Sequence, residues 1–278
     1  MLGYIDSIKN YIGKNHINDD VVNEAAFGYS EIKEYLEKNG VKNVLEIGSG
    51  TGLLINYLAE NYKQINFEGI EPHKAGHNRF IDTLNQINRV KIYKDEIQNF
   101  DPKKKYDLVF SVNVLEHIND WSKYIDVTKD ILNDGGLSIV LCPNYEFPYE
   151  SHYIIPIIIN KGITKKLFKN TIMQYEIKNN ALGHYDALNF IKKKQLIKYL
   201  NMLRVSYEFD DNIKYRMLER LYNDKALLKR QKVIGKISYI LLKIKIHKII
   251  LDIFKVPFPY MKLIYTKNKL NSLSINKK

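Results

Sequence analysis

A short glycine-rich run near the start of the chain has the residue types of a turn that holds a cofactor against the backbone. From position 44 it reads V-L-E-I-G-S-G-T-G. It supplies a carboxylate, a hydroxyl and three glycines: Glu46, Ser49, Gly48, Gly50 and Gly52. Glycine tolerates positive φ and lets a ligand approach the main chain closely. A strand-to-helix turn without a ligand is the alternative, and only motifs further along the chain can separate the two.

The segments on either side predict the elements that position this turn. Val44, Leu45 and Ile47 form a short apolar run, which is typical of a buried parallel strand. The residues from position 53, L-L-I-N-Y-L, have helical spacing. The first N–H groups of such a helix have no intrahelical acceptor, so they face the same pocket as the glycines.

A second acidic position occurs one helix and one strand later. Glu71 ends the apolar segment 65–70, nineteen residues after Gly52, and Pro72 stops the strand there. In a doubly wound sheet, a carboxylate at the end of the second strand can accept both hydroxyls of a ribose. A helix-capping or solvated acid is the alternative.

A third repeat of the pattern ends in another acidic turn. Residues 74–88 suggest a helix, and residues 90–93 a strand that leads into Asp95. Asp95 can accept a hydrogen bond from the exocyclic amine of a base, while Ile97 packs on the ring. An ordinary surface turn explains this motif equally well.

The fourth strand carries the most specific motif. Residues 106–111 read Y-D-L-V-F-S, and V-N-V-L-E-H-I continues from position 112. Over about residues 40–145 the chain resembles class I S-adenosylmethionine-dependent methyltransferases, because four motifs occur in that family's order and spacing. The glycine turn differs from the G-x-G-x-x-G spacing of dehydrogenases, so a nicotinamide enzyme is a poor alternative.

The resemblance implies a binding role for each matched position. The glycine turn holds the methionine part of the cofactor, the acid after strand two holds the ribose, the third turn contacts adenine, and the segment after strand four lines the methionine end. The residues implied to bind S-adenosylmethionine are Glu46, Gly48, Ser49, Gly50, Gly52, Glu71, Asp95, Glu96, Ile97, Asn113 and Val114. Glu116 and His117 match a Glu-His pair that is common in small-molecule members.

An aromatic loop comes after the fifth strand, which is expected at residues 137–142. It reads P-N-Y-E-F-P-Y-E-S-H-Y from position 143 and resembles a P-N-Y-x-x-P-Y-E-x-H-Y run in bacterial members of the family. Open α/β sheets bind ligands at this end of their strands, which favours a substrate wall or lid over a loop that only packs on the domain. The expected substrate-binding residues are Tyr145, Tyr149, Tyr153, His184 and Tyr185, although a lone His-Tyr pair is often structural.

Methyl transfer gains most from alignment of donor and acceptor, but an oxygen acceptor must also lose a proton. A histidine with a pKa near neutrality suits that task, so His117 and His152 are the candidate catalytic bases. Glu150 is expected to act as a base or to orient a histidine. Cysteine and histidine spacings match no zinc motif, so no metal site is predicted.

The order of these elements predicts an α/β fold with a doubly wound, mostly parallel seven-stranded sheet and helical insertions. Residues 205–209 and 261–266 are the candidate sixth and seventh strands. The expected regions are an N-terminal helical lead-in (1–40), a methyltransferase core (41–212) with a substrate-side insertion near 145–200, a basic helical insertion (213–256), and the last core strand with a basic tail (257–278).

Charge divides the 278-residue chain into two halves. Residues 1–150 hold 16 basic and 23 acidic residues, whereas residues 151–278 hold 27 and 8. A basic half suits an anionic partner, and a lysine-rich solvated surface is the alternative. Cys142 is the one cysteine, which excludes an internal disulfide, and the first ten residues lack the pattern of a secretory signal. These features predict a cytoplasmic protein.

The last quarter of the chain concentrates this charge, with 17 basic and 3 acidic residues after position 212. Residues 233–254 approach the length of a membrane span, but each lysine within them costs about 2.5–3.5 kcal/mol on insertion, which argues against spanning. The lysines do not share one helical stripe. Peripheral contact with an anionic membrane surface is one hypothesis, and a dimer interface or a helical cap is the other.

The function expected from these features is methyl transfer to an oxygen or nitrogen of a small molecule or of a glycan- or lipid-linked intermediate. Two alternatives stay open. A nucleic-acid methyltransferase would use the basic half, but the segment at Asn113 lacks the N-P-P-Y type motif of base-amine methylation. A non-catalytic cofactor-binding scaffold is the other.

Overall fold

A computed structural model describes residues 2–13, 17–72, 90–253 and 257–267, and its centre is a seven-stranded sheet. The strands, including a separate two-stranded hairpin, are β1 (Asn43–Ile47), β2 (Asn66–Ile70), β3 (Lys91–Tyr93), β4 (Tyr106–Val112), β5 (Leu132–Pro143), β6 (Tyr149–Glu150), β7 (Ile155–Pro156), β8 (Tyr207–Phe209) and β9 (Tyr260–Thr266). In the large sheet they lie in the order β3-β2-β1-β4-β5-β9-β8. β9 runs opposite to the other six strands of this sheet, so the predicted mostly parallel, doubly wound sheet is confirmed.

The strand order reverses between β1 and β4, and this places the glycine turn at the switch point of the sheet. Ile47, the last residue of β1, pairs with Ile70 on one side and Ser111 on the other. Ligands of open α/β sheets bind in the crevice outside the carboxyl ends of the strands at such a point. The topology therefore brings the turns after β1, β2 and β4 to one edge.

Helices cover both faces of the sheet and extend beyond it. Their bounds are α1 (Leu2–Ile12), α2 (Asp19–Leu36), α3 (Leu53–Asn61), α4 (Trp121–Ile131), α5 (Lys161–Leu167), α6 (Lys169–Lys178), α7 (His184–Ala187), α8 (Lys193–Leu203), α9 (Ile213–Asn223), α10 (Lys225–Arg230), α11 (Lys232–Lys243) and α12 (His247–Ile253). Short 3-10 turns cover Ile97–Asn99 and Leu115–His117. The helix expected at residues 74–88 lies outside the described residues.

Apolar side chains divide into three buried clusters that match this layering. On one face of the sheet, α1, α2 and α3 bury residues such as Ile8, Ile32 and Leu58 against the strands. On the other face, α4 and α8 contribute Ile125 and Leu200. The chain between β5 and α8 has a small core of its own, made of Tyr153, Ile155, Ile172, Tyr185 and Leu188. We call this segment the cap; its role as a substrate-side insertion stays a prediction.

The basic C-terminal helices pack on the N-terminal helices and not on the cap alone. The Asn23 side chain in α2 donates to the Asp224 carboxylate at 2.9 Å, and the Arg220 guanidinium lies 4.6 Å from the centre of the Phe27 ring. The long apolar run is split, because α11 ends before Lys245, whose φ is 58°. Within the described ranges, no helix combines the length and apolar character that crossing a membrane requires.

Candidate active site

The glycine turn after β1 forms an open cradle of main-chain groups. Gly48, Gly50 and Gly52 have φ values of 69°, 51° and 74°, a region that side chains other than glycine rarely adopt. A Cβ atom at Gly48 would overlap the Val114 side chain, whereas one at Gly50 would meet nothing within 4 Å. The main chain at Gly50 therefore faces free space, as close approach of a ligand requires.

Two carboxylates flank this cradle. Glu71 accepts a hydrogen bond from the Gly50 N–H at 2.8 Å, which ties the end of β2 to the turn. Glu46 is only 3% exposed, and neither its Oε2 nor the Ser49 hydroxyl has a hydrogen-bond partner among the described residues. Burial, followed by the nearby charge of Glu71, raises the pKa of Glu46 well above its usual range. These orphaned buried groups are suited to a polar, cationic ligand.

The segment after β4 closes the cradle from the side. Asn113 has a φ of 56° and its N–H donates to the Leu141 carbonyl at 2.8 Å. Its side chain accepts from the Tyr260 hydroxyl at 2.7 Å and donates to the Glu24 carboxylate. Val114 then packs on Gly48. Contact of both residues with the methionine end of the cofactor stays a prediction.

The predicted adenine turn lies one strand further out. Asp95 accepts from the N–H of Glu96 at 2.7 Å, so this carboxylate also caps its own turn. Ile97 begins the following 3-10 turn and is only 3% exposed, among apolar residues beneath the sheet. Contact of these three residues with a base stays a prediction.

Three histidines that are distant in sequence meet at the same edge of the sheet. His117 ends the 3-10 turn after β4, His152 lies between β6 and β7, and His184 begins α7. The ring centres are 5.7 Å apart for His117 and His152, 4.9 Å for His117 and His184, and 5.5 Å for His152 and His184. One nitrogen from each lies within 4.8 Å of the others. The sequence predicted no metal site, but spacing along the chain cannot show a cluster that only the fold assembles.

His152 is held by a buried carboxylate. Its Nδ1 lies 2.7 Å from Oε1 of Glu150, which is fully buried and also accepts from the Tyr145 hydroxyl at 3.2 Å. Burial raises the pKa of Glu150, but the hydrogen bond and charge of His152 outweigh burial and hold it below its usual value. Burial lowers the pKa of His152, but the hydrogen bond and charge of Glu150, together with the charges of Glu116 and Glu24, raise it above its usual value. The pair thus favours an ionised carboxylate beside the imidazole.

Two further residues lie at this site, and neither was predicted from the sequence as a site residue. Glu116 is fully buried with an oxygen 3.8 Å from His117 Nε2, and neither carboxylate oxygen has a hydrogen-bond partner among the described residues. Burial raises its pKa to about 7. The Asn189 side chain donates to the carbonyls of Leu115 and Ile118 at 2.6 and 2.8 Å, so it clamps the turn that bears His117. Glu116 stood in the quoted motif, but nothing in the sequence pointed to Asn189.

Three of the four tyrosines expected to bind substrate have buried rings. Tyr145 stacks on Phe190 at 4.4 Å, and the hydroxyls of Tyr153 and Tyr185 bond to Glu176 and to the Lys161 carbonyl at 3.0 and 3.2 Å. All three rings are buried. Direct contact of these rings with substrate stays a prediction.

The other two expected substrate residues lie differently. Tyr149 bonds to Gln231 at 2.8 Å, which joins the aromatic loop to the C-terminal helices. His184 joins the histidine cluster directly.

A seven-stranded sheet with one antiparallel strand, a glycine cradle and acids at the ends of β1 and β2 together define an S-adenosylmethionine-dependent methyltransferase. The profile of the family described as "Methyltransferase domain" matches residues 22–200, and the chain belongs to this family. An uncharacterized protein of Mycobacterium tuberculosis is 27% identical over 215 residues, which cover 75% of this chain and 73% of that protein.

Relatives with named activities cover less of the chain. The ubiquinone biosynthesis O-methyltransferase of Shewanella halifaxensis is 28% identical over 160 residues, which cover 56% of this chain and 60% of that enzyme. The (S)-tetrahydroprotoberberine N-methyltransferase of Eschscholzia californica is 25% identical over 163 residues, which cover 54% and 47%. Methylation of oxygen and of nitrogen are thus both represented.

Solved structures share the fold. The plantazolicin methyltransferase BpumL, in complex with a desmethylPZN analog and SAH, aligns with a TM-score of 0.54 at 14% identity, covering 95% of this chain and 90% of that one. Phosphoethanolamine N-methyltransferase 2 of Haemonchus contortus, with S-adenosyl-L-methionine, aligns with a TM-score of 0.56 at 15% identity, covering 97% and 58%. The protein is a methyltransferase, and its cofactor is S-adenosylmethionine.

Proposed function

We propose that this enzyme transfers the methyl group of S-adenosylmethionine to an oxygen or nitrogen of a small molecule or of a glycan- or lipid-linked intermediate. The observation that carries the proposal is the position of the histidine cluster next to the cofactor cradle. Val114 packs on Gly48 of the cradle, and His117 comes only three residues later. An acceptor that touches the cluster is therefore close to the methionine end of the cleft.

The residues of the cradle fit the cofactor part by part. Glu46 and Ser49 present buried polar atoms without partners among the described residues, which suit the ammonium and carboxylate of the methionine tail. Glu71 stands at the end of β2, where a carboxylate accepts ribose hydroxyls. In this proposal Asp95 and Ile97 contact the adenine, and Asn113 and Val114 line the methionine end. When bound, S-adenosylmethionine supplies a methyl group on a positively charged sulfur.

The chain's own part in the reaction is to align the acceptor and to remove its proton. Alignment is the larger effect, since methyl transfer requires the attacking atom in line with the bond that breaks. Glu150 holds the Nδ1 side of His152, and this leaves Nε2 to take a proton from an acceptor hydroxyl or amine. His117 and His184 lie within 6 Å of that ring, centre to centre, and orient the acceptor.

A lipid-linked acceptor is favoured by the surface of α11 and α12. Isoleucines are strongly exposed there, with exposed fractions of 53% and 56% for Ile237 and Ile240 of α11, and 59% for Ile249 of α12. Exposed lysines interleave with them, among them Lys236 and Lys243. We infer that this surface lies on an anionic membrane, since apolar burial and lysine charge both favour such contact.

Methyl transfer can be tested before the acceptor is known. The full chain is incubated with methyl-labelled cofactor and an extract of its own source cells, and the extract is then fractionated. Label is expected in a small-molecule or lipid fraction, and His152→Ala should abolish it while Asn179→Ala, a substitution at an exposed position of the cap, should not. Cofactor binding without labelling of any fraction would instead support a scaffold, and labelled nucleic acid would support the other alternative.

A further inference from the structure

We propose that His117, His152 and His184 bind a zinc ion, and that the methyl acceptor binds to this ion. The second half of this inference rests on the proposed function, because it requires an acceptor at the histidine cluster. The first half concerns only the three imidazoles and stands independently.

The geometry of the cluster is close to that of a three-histidine site. One nitrogen of each ring lies within 4.8 Å of the other two. Zinc binds imidazole nitrogen at about 2.0–2.1 Å, which in a tetrahedral site places two such nitrogens about 3.4 Å apart. The three rings come from separate short elements, and the proposal requires their side chains to draw closer together when the ion binds.

The support around His152 is of the kind that zinc ligands require. A ligating histidine almost always donates its other N–H to a carboxylate or carbonyl, which sets the ring orientation and directs the remaining lone pair to the metal. Glu150 occupies this position on Nδ1 of His152 at 2.7 Å. Glu150 is itself held, since its second oxygen accepts from the Tyr153 N–H at 2.7 Å. Nε2 of His152 is thus oriented in advance.

Buried carboxyl groups next to the cluster favour a cation. Glu116 is fully buried, one of its oxygens lies 3.8 Å from His117 Nε2, and neither oxygen has a hydrogen-bond partner within the part of the chain that the structure describes. A buried carboxylate without partners is costly. A divalent ion bound to His117 offsets this cost. The Glu150 carboxylate also attracts a cation to the cluster.

The cluster also leaves room for an acceptor. The side chains of His117 and His152 are 32% and 26% exposed, so the imidazoles form a half-open wall and not a closed cage. Catalytic zinc sites have three protein ligands and one open position, whereas structural sites are closed by four. An acceptor hydroxyl in the open position loses its proton to solvent more readily, as zinc-bound water does with a pKa of about 7.

His152 has a different role in the reaction when zinc is bound. In the zinc-loaded enzyme the lone pair of Nε2 is on the metal, so the ion and not the imidazole promotes loss of the acceptor's proton. His184, which the sequence suggested only as a substrate contact, becomes a metal ligand.

The test uses Co²⁺ as a visible probe and Zn²⁺ as its competitor. The full chain is stripped with a chelator, dialysed and titrated with Co²⁺, and bound metal is counted by elemental analysis. One Co²⁺ per chain with the intense visible absorption of a tetrahedral site is expected, displaced by Zn²⁺. His184→Ala and Glu150→Gln should each weaken binding about ten- to hundred-fold, whereas the matched control His247→Ala should not. Circular dichroism and cofactor binding confirm that each variant is folded.

The outcomes separate the two halves of the proposal. Folded wild-type protein that retains no stoichiometric metal, or whose affinity is unchanged in His184→Ala, overturns the zinc site. If methyl transfer then persists in the stripped enzyme, the proposed function survives without the metal. Stoichiometric binding together with methyl transfer that the chelator does not affect retains the site but overturns its contact with the acceptor. Stoichiometric binding without methyl transfer to any fraction overturns the proposed function instead.

Discussion

Glu46 shows at the scale of one residue how a ligand site can lower the stability of the protein that carries it. Its carboxylate is almost completely buried, and one oxygen has no partner in the described structure. Burial and the charge of Glu71 raise its pKa well above the usual range. An acid whose pKa is raised by folding destabilises the fold as pH rises above the unfolded pKa, because the unfolded chain then ionises more easily. The Glu46 carboxylate is therefore better suited to bind a ligand than to stabilise the fold.

The variant Glu46→Gln is expected to stabilise the cofactor-free protein and to weaken cofactor binding. Glutamine resembles the protonated form, so the gain in unfolding free energy should widen as pH rises from about 5 to 8. Loss of a charge-assisted hydrogen bond should weaken S-adenosylmethionine binding about ten- to hundred-fold. Thermal unfolding across pH and titration calorimetry measure the two effects.

The same substitution at the exposed Glu219 of α9 is the matched control and should change neither quantity. Unaltered cofactor affinity in Glu46→Gln would show that this carboxylate lies outside the binding site.

The sequence could predict site residues that lie close together along the chain, but not contacts between residues that lie far apart in it. The glycine turn and the acid at the end of β2 could be predicted, because backbone conformation and strand order determine them within a short stretch. The histidine cluster could not, since its members are 35 and 32 residues apart along the chain and meet only through the cap. His117 and His152 were each expected at the site, but the contact between them depends on tertiary structure.

At the scale of elements, the cap is joined to the core by the clamp that Asn189 forms on the Leu115–His117 turn. The side chain donates to two carbonyls of this turn, and the Asn189 N–H donates to the Glu116 carbonyl at 2.8 Å. Asn189→Ala leaves two carbonyls without these donors, so it should lower the free energy of unfolding by about 1–3 kcal/mol. Methyl transfer should fall more steeply than cofactor binding, because the turn positions His117 and not the glycine cradle.

Asn179→Ala provides the comparison, since that exposed side chain donates only within its own helix, to the Tyr175 carbonyl. Calorimetry and a turnover assay on both variants measure the difference. Equal losses of turnover in the two would mean that the clamp has no part in placing His117.

A buried ionic network joins three elements that the sequence did not connect. Lys262 of β9 is 1% exposed and lies 3.1 Å from the Glu31 carboxylate of α2, which also pairs with Arg216 of α9 at 2.7 Å. The run M-K-L-I-Y-T was predicted as the last strand from its apolar residues, but the lysine within it had no predicted partner. The partner comes from a helix 231 positions away in the sequence.

Glu31→Gln is expected to destabilise the protein by about 3–5 kcal/mol, because it leaves the buried lysine without its main counterion. Glu34→Gln on the same helix is the control. Glu34 is 62% exposed at 3.7 Å from the same lysine, so its loss should cost at most about 1 kcal/mol. Denaturant unfolding measures both.

The double variant Glu31→Gln, Lys262→Met should recover part of the loss, since it removes the buried charge as well. If the double variant is no more stable than Glu31→Gln alone, the network is not the source of the effect.

In the whole molecule, the acidic N-terminal half contains the glycine cradle, and the C-terminal helices of the basic half present a partly apolar surface. The sequence showed the charge division, with a net charge of +12 for the chain, but it could not show which apolar residues stay exposed. Burial separates them, because Leu227 is buried among the packed helices while Ile237 and Ile240 are exposed. Exposed lysines and exposed isoleucines therefore lie together on α11.

A membrane-bound position of this surface predicts salt-sensitive flotation with anionic liposomes. Each lysine near an anionic surface contributes about 1 kcal/mol, and this attraction is screened as salt is added. Ile240→Asp should reduce binding about ten-fold or more, since it removes a buried apolar side chain from the lipid and adds repulsion. Ile159→Asp is the matched control, because Ile159 is 83% exposed on the cap, away from α11. Equal flotation with zwitterionic and anionic liposomes would contradict the membrane contact, as would an equal loss of liposome binding in both variants. The isoleucines of α11 would then be assigned to a contact between protein chains, which sedimentation of the same variants would detect.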